Sequence, residues 1–257
     1  MKIEVAHAAL SAEISGSGPP FVLLHSLLSD KRSFDLIVEP LSRDFRVIVP
    51  DLPGFGNSAP VDGGLAEIAD RTAAAVVEMA GGEKPIVLGN GFGGFVALQL
   101  AISHPGIASR LVLADCGAVF METGRQAFRA MAAAAAQKGL GAIVETAMRR
   151  LFSAEFQTQN PALMADRRAA FLRTDEPTFQ MACHALARLD LRGEVGRVAV
   201  PVLVLVGEND EATPPPMAVE LAGLLPDSRL KILRGCAHVP QLQDPDAFLE
   251  AIADFVR

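Results

Sequence analysis

Residues 87–94 read Val87-Leu88-Gly89-Asn90-Gly91-Phe92-Gly93-Gly94. A short apolar run enters a glycine-dense turn, and a helix-like segment, FVALQLAISHP, follows at 95–105. Two machines use such a turn. One is a phosphate-binding loop, G-x-G-x-x-G, which Gly89, Gly91 and Gly94 satisfy. The other is a nucleophile elbow, G-x-S-x-G, for which Gly89-Asn90-Gly91-Phe92-Gly93 supplies everything except the serine. The rest of the chain decides between them.

Working outward, further apolar runs read as buried strands: FVLLH (21–25), RVIVPD (46–51), PIVLGN (85–90), RLVLAD (110–115), PVLVLVGEND (201–210) and RLKIL (229–233). Continuous apolar strands suit a parallel sheet covered on both faces. Helical patterns at Leu65–Ala80, Phe92–Ser103, Met217–Leu225 and Ala247–Val256 separate most of them. Strands alternating with helices indicate an α/β fold with a mostly parallel, doubly wound sheet. Ahead of it, Lys2–Ala6 and Ala9–Ser15 read as a hairpin. From about Phe120 to Arg197 the alternation stops, and Ala, Arg, Leu and Met recur at helical spacing. We read residues 120–197 as a helical cap inserted into a core of 1–119 and 198–257. The cap holds 11 Lys or Arg against 8 Asp or Glu, whereas the rest holds 12 against 22.

The chain has 257 residues and a net charge of −7. Its acidic balance argues against nucleic acid as a partner. No apolar run reaches the roughly 18 residues of a membrane span, and the N-terminus lacks a signal-like stretch. A cytoplasmic location is the expectation, and no homo-oligomer is indicated. Cys116, Cys183 and Cys236 are far apart and odd in number, so neither a disulfide framework nor a C-x-x-C metal site is expected. No cofactor is called for.

Five loops stand at the C-terminal ends of predicted strands, where open α/β sheets place their sites. They are His25-Ser26-Leu27-Leu28-Ser29, the stretch Asp51–Ser58, the glycine turn, Gly207-Glu208-Asn209-Asp210, and Gly235-Cys236-Ala237-His238. In this order they resemble the α/β-hydrolase superfamily, with the likeness tightest in the body and nearly absent in the cap. Within it, the H-S-L start of the first loop and the GENDEATP and C-A-H segments resemble small bacterial ester and lactone hydrolases of the 3-oxoadipate enol-lactonase type.

That resemblance implies an order of nucleophile, acid, histidine, which falls on Gly91, Asp210 and His238. The acid holds the imidazole in one tautomer, and the imidazole takes the nucleophile's proton. It also implies an oxyanion hole from the backbone N–H groups of Phe92 and Leu27, which a glycine at 91 leaves intact. His25 and Ser26 fall in the substrate pocket, with His25 shaping the oxyanion loop by hydrogen bonds. Ser26 and Ser29 are candidate substitute nucleophiles, though neither sits on the strained turn that aims an Oγ. Asp115 also ends a strand and is an alternative orienting acid or a structural turn residue. Asp51 is expected to brace its own loop, Cys236 to be a small buried hydrophobe, and His7, His104 and His184 to be structural or exposed.

The dinucleotide reading would pair the three glycines with Asp115 as the ribose acid, but it explains none of the other loops. For the elbow reading, glycine adopts the positive φ without steric cost, yet it removes the side chain that forms an acyl-enzyme. Three accounts stay open. The glycine is an engineered replacement; or His238, held by Asp210, activates a water in the space at position 91; or the chain is a non-catalytic binder. The basic cap points to a carboxylate-bearing small molecule.

Overall fold

All six apolar runs become parallel strands, and their alternation explains how the sheet is covered. The computed structural model describes residues 3–7, for their backbone, and 10–257. Lys2, Ala9 and the side chain of His7 lie outside the described residues. The strands are β1 (Ile3–His7), β2 (Leu10–Ser15), β3 (Pro20–Leu24), β4 (Arg46–Pro50), β5 (Ile86–Asn90), β6 (Arg110–Ala114), β7 (Val202–Gly207) and β8 (Ser228–Leu233). They form one sheet of order β1-β2-β4-β3-β5-β6-β7-β8. β1 and β2 pair antiparallel, as do β2 and β4, and β3 to β8 run parallel.

Period-2 alternation sends successive side chains to opposite faces. Val22, Leu24, Val87, Leu111, Leu113, Val204 and Val206 pack on one face, against α2 (Leu65–Ala80), α3 (Phe92–Ser103) and α9 (Pro215–Leu224). Phe21, Leu23, Leu88, Val112, Leu203 and Leu205 pack on the other, against α1 (Asp35–Leu41) and α11 (Pro245–Val256). Each such side chain fully withdrawn from water contributes about 1.5–3 kcal/mol. Helix α3 is apolar all round because it is buried at the centre of its layer.

Two expectations need correction. RLKIL forms β8 but is not a buried strand. It closes the sheet edge, with Leu230 and Ile232 exposed and Arg229 and Lys231 interleaved. Charged residues on an edge guard against pairing with another chain. Second, α1 and the short α10 (Pro240–Gln243) are additional helices.

Between β6 and β7 the chain forms α4 (Glu122–Lys138), α5 (Val144–Leu151), α6 (Ala154–Gln159), α7 (Pro161–Leu172) and α8 (Glu176–Arg188). No sheet strand lies among them. An isolated bridge between Val119 and Asp190, with the Leu191 N–H donating to the Ala118 carbonyl at 2.8 Å, holds the two ends of this interval together. The helices are also tied to the loop after β3. Buried Arg167 on α7 reaches Asp30 at 2.8 Å and Asp166 at 2.5 Å. Arg32 meets Asp166 at 2.9 Å, and Arg173 meets Asp30 at 3.2 Å.

β3 and β5 are neighbours, yet the chain leaves β3 for β4 on one side and β5 for β6 on the other. That divergence is the switch point at which an open α/β sheet leaves a crevice beyond its strand ends. It sets the loop 25–29 against the glycine turn.

Candidate active site

Gly91 follows β5 with φ 54° and ψ −117°, then α3 begins at once. A side chain is strained in this left-handed region, by about 1–3 kcal/mol. The glycines on either side serve packing. A Cβ at Gly89 would overlap the Gly93 carbonyl, and one at Gly93 would overlap the Leu24 carbonyl of β3. The Gly93 N–H donates to the His25 carbonyl at 2.9 Å. These glycines therefore let α3 press onto the ends of β3 and β5.

The first loop is fixed by a buried histidine. His25 Nδ1 donates to the Ser26 carbonyl at 2.9 Å, and its Nε2 accepts the Leu52 N–H at 3.0 Å. Both ring nitrogens are thus engaged in the neutral tautomer, and burial pushes the imidazole's pKa down. His25 braces the loop and has no nitrogen left for proton transfer. The Ser29 N–H also donates to the Ser26 carbonyl, at 3.2 Å. Asp51 braces the neighbouring loop: it accepts from the Asn57 N–H and faces Lys31 at 3.2 Å.

Asp210 and His238 meet although 28 residues separate them. His238 Nδ1 donates to Asp210 Oδ2 at 2.8 Å. Asp210 Oδ2 also accepts from the Thr213 hydroxyl at 2.6 Å, and Oδ1 accepts the N–H groups of Ala212 and Thr213 at 2.8 and 3.1 Å. Burial alone would raise this carboxyl's pKa, but the His238 charge and the hydrogen bonds from His238 and Thr213 outweigh it and hold Asp210 below the ordinary value. An ionised acceptor at Nδ1 fixes the proton there and leaves Nε2 as an acceptor.

The linkage gives a pH test. A carboxyl depressed in the fold contributes stability above its unfolded pKa, about 3.9, and loses it as pH falls through the folded value. Asp210→Asn is expected to destabilise by about 1–3 kcal/mol at pH 7. Urea unfolding at a series of pH values should show the gap closing only below about pH 3.9.

Asp115 lies behind this pair, fully buried, and is the single non-glycine residue with positive φ among the described residues, at 53°. Its Oδ1 accepts the Gly207 N–H at 2.9 Å and its Oδ2 accepts from Asn90 Nδ2 at 3.0 Å. Burial, with the Asp210 charge beside it, pushes its carboxyl well above the ordinary value. Asp115 knits the ends of β5, β6 and β7. Buried in this way it cannot meet a ribose, so the dinucleotide reading of Gly89, Gly91 and Gly94 loses its acid. Ligand atoms of Asp115, Asp210 and His238 lie within 4.8 Å of one another. The oxygens of both carboxylates and the His238 Nδ1 are already committed to hydrogen bonds, so the cluster is a proton network rather than an open cation site.

Three contributors escaped the sequence reading. Asn90, between the first two elbow glycines, donates to the His238 carbonyl at 2.9 Å and accepts from Gln241 at 3.1 Å, so it anchors the histidine loop. A wholly buried amide ending an apolar strand is the signal that would have found it. Thr213 supports the acid. Arg150, on α5, enters the cavity wall.

The cavity is small and partly open to solvent. Phe92, Phe95, Phe120, Phe128, Leu28 and Leu186 make it apolar, while Ser26, Thr213, His238 and Arg150 supply its polar groups. Leu27 and Phe92 line it too, and among the described residues neither backbone N–H donates to a protein acceptor. Ser29 Oγ is buried without a partner. Ser26 Oγ, by contrast, stands 3.4 Å from His238 Nε2. A Cβ at position 91 would lie 2.5 Å from Ser26 Oγ and 2.7 Å from His238 Nε2. The space expected to hold a water beside Nε2 thus has the Ser26 hydroxyl at its border, while Ser26 itself lies off the strained turn at Gly91. His104 lies elsewhere, 2.7 Å from Asp70, and His184 is exposed. The three cysteines are free and buried, and Cys236 is a small buried side chain. No helix among the described residues is long and apolar enough to cross a membrane.

Known proteins share this fold. The model of the alpha/beta hydrolase family matches residues 21–251. A pimeloyl-[acyl-carrier protein] methyl ester esterase of Aeromonas hydrophila is 30% identical, over 96% of this chain and 99% of that protein. The crystal structure of the enol-lactonase from Burkholderia xenovorans superposes with a TM-score of 0.90 at 26% identity, covering 99% of each chain. A thermophilic esterase from Thermogutta terrifontis, with malate bound, gives 0.87 at 26% identity, covering 100% of this chain and 98% of that one.

Proposed function

Because the chain belongs to the alpha/beta hydrolase family, we propose that it hydrolyses a small carboxylic ester or lactone, with the Asp210–His238 pair as its general base and no serine at the elbow. The observation that carries this reading is the bonded pair itself, whose Nε2 faces an apolar cavity beside the Ser26 hydroxyl. In this reading the unengaged N–H groups of Leu27 and Phe92 receive the oxyanion, a contribution of about 3–4 kcal/mol per donor in comparable sites. Residues 120–197 serve as a cap on the core of 1–119 and 198–257 and supply Phe128, Arg150 and Leu186 to the wall.

The substrate is read as carboxylate-bearing. Most cap arginines are spent within the protein: Arg129, Arg167, Arg168, Arg173, Arg192 and Arg197 each meet a carboxylate. Arg150 meets none among the described residues and lies over the Phe128 ring, 5.5 Å from its centroid. Burial lowers its pKa, while the Asp210 and Glu211 charges oppose that shift, and a guanidinium stays cationic at neutral pH. An unpaired cation in an apolar wall favours an anionic group on the ligand. The bound malate of the Thermogutta esterase is a dicarboxylate in a related fold.

The test is a panel of small esters and lactones in matched pairs with and without a carboxylate. Turnover that prefers the carboxylate member supports the reading. Arg150→Gln is expected to raise KM for that member by about tenfold or more, the loss of one charged hydrogen bond, and to leave the neutral member within about twofold. Equal effects on both would remove the carboxylate from the reading. The missing side chain at position 91 favours one alternative, a binder without turnover. Tight binding of the panel with no hydrolysis would select it.

A further inference from the structure

We propose that Ser26 has taken the place of the elbow serine, as the nucleophile of a relay Ser26–His238–Asp210 whose first member comes from the loop after β3. This rests on the reading of His238 as a base. Three observations carry it. Ser26 Oγ stands 3.4 Å from His238 Nε2, the nitrogen that Asp210 leaves free to accept. Catalytic hydrogen bonds are often this long without substrate. The hydroxyl stands 2.5 Å from where a Cβ at position 91 would begin. An elbow side chain and the Ser26 hydroxyl would therefore compete for one place, and glycine yields it. Finally, the Ser26 backbone is held rigidly, its carbonyl accepting from His25 Nδ1 and from the Ser29 N–H. Ser29, the other serine of the loop, has no such partner for its hydroxyl.

The step is ordinary acyl transfer. Ser26 Oγ bonds to the acyl carbon as its proton passes to His238 Nε2, and the ester C–O bond breaks as that proton passes to the leaving oxygen. Water then attacks the acyl carbon, gives a proton to Nε2, and Ser26 Oγ leaves with that proton. The products are the acid and the alcohol, with serine and histidine restored. The N–H groups of Leu27 and Phe92 line the same cavity and are free to meet the carbonyl oxygen at each attack.

The experiment combines turnover of p-nitrophenyl esters with labelling by a fluorophosphonate, which phosphonylates an activated serine without needing turnover. Protein, Ser26→Ala, Ser26→Cys and His238→Ala are compared, with thermal melts to establish folding. We expect the label on the Ser26 peptide, its loss in Ser26→Ala and His238→Ala, and a fall in kcat of at least about 10³-fold in Ser26→Ala. Ser26→Cys should accumulate a thioester detectable by mass. If Ser26→Ala keeps turnover within about threefold while His238→Ala loses it, the serine assignment is overturned and the base reading stands. Ser26 labelled without any turnover keeps the nucleophile and overturns the hydrolase reading. Neither label nor turnover overturns both.

Discussion

Replacing His238 with alanine is expected to lower kcat on an activated ester by at least about 10³-fold. Its imidazole joins the buried acid to the cavity and presents a basic nitrogen there. Nδ1 is 2.8 Å from Asp210, and Nε2 is open to the pocket and to Ser26. Alanine removes the proton acceptor and strands the Asp210 charge, though Thr213 and two backbone N–H groups still hold that carboxylate. The apolar walls and the N–H groups of Leu27 and Phe92 stay in place. KM should therefore move far less than kcat, the pattern of a lost transition-state interaction. Steady-state kinetics on the ester panel checks this. A variant with kcat unchanged would mean that the cavity is not where turnover occurs.

Gly93→Ala carries the second large effect, on stability. The added methyl would overlap the Leu24 carbonyl and lie 2.8 Å from the His25 carbonyl. Both obstacles are backbone, so no rotamer change relieves them. Either α3 backs away from β3 or the loop carrying Ser26 shifts. Overpacking of this kind costs about 1–3 kcal/mol and more where backbone must move, so we expect a loss of at least about 3 kcal/mol. Gly223→Ala is the control: Gly223 is exposed on α9, and nothing lies within 4 Å of the new methyl. There alanine is expected to be neutral or to stabilise by up to about 1 kcal/mol. Urea midpoints compare the two. A loss under about 1 kcal/mol at Gly93 would show that the approach of α3 is loose.

Much of the fold was legible because its signals are local. Five strands buried in the sheet announce themselves as apolar runs, and α3 begins and ends where its residues predict, Phe92–Ser103. Asp210 and His238 were legible for a different reason: each ends a loop after a strand, and the order of such loops is itself a pattern. What the sequence withheld depends on assembly. The exposure of Leu230 and Ile232 follows from β8 being an edge, which no property of RLKIL announces. Helix α1 has seven residues with Pro40 inside, too short for a helical period to register. Ser26 and His238 are 212 residues apart, and their meeting depends on the divergence of the chain at β3 and β5. Arg150 looked like one of many basic residues on helical faces. Its place in the cavity wall, with no carboxylate partner among the described residues, is what sets it apart.

The seat of Arg167 has a consequence for how this chain can diverge. Asp30 is four residues beyond Ser26, and its carboxylate is met by Arg167 from the far side of the 120–197 interval. Losing Arg167 alone would leave Asp30 beside a buried void, with Arg173 alone of the two arginines that meet it, a penalty of up to about 3–5 kcal/mol for a broken buried pair. Neutral exchange therefore requires the two sites to change together. Such covariation is a constraint passed from the helices of 120–197 to the short loop that carries Ser26.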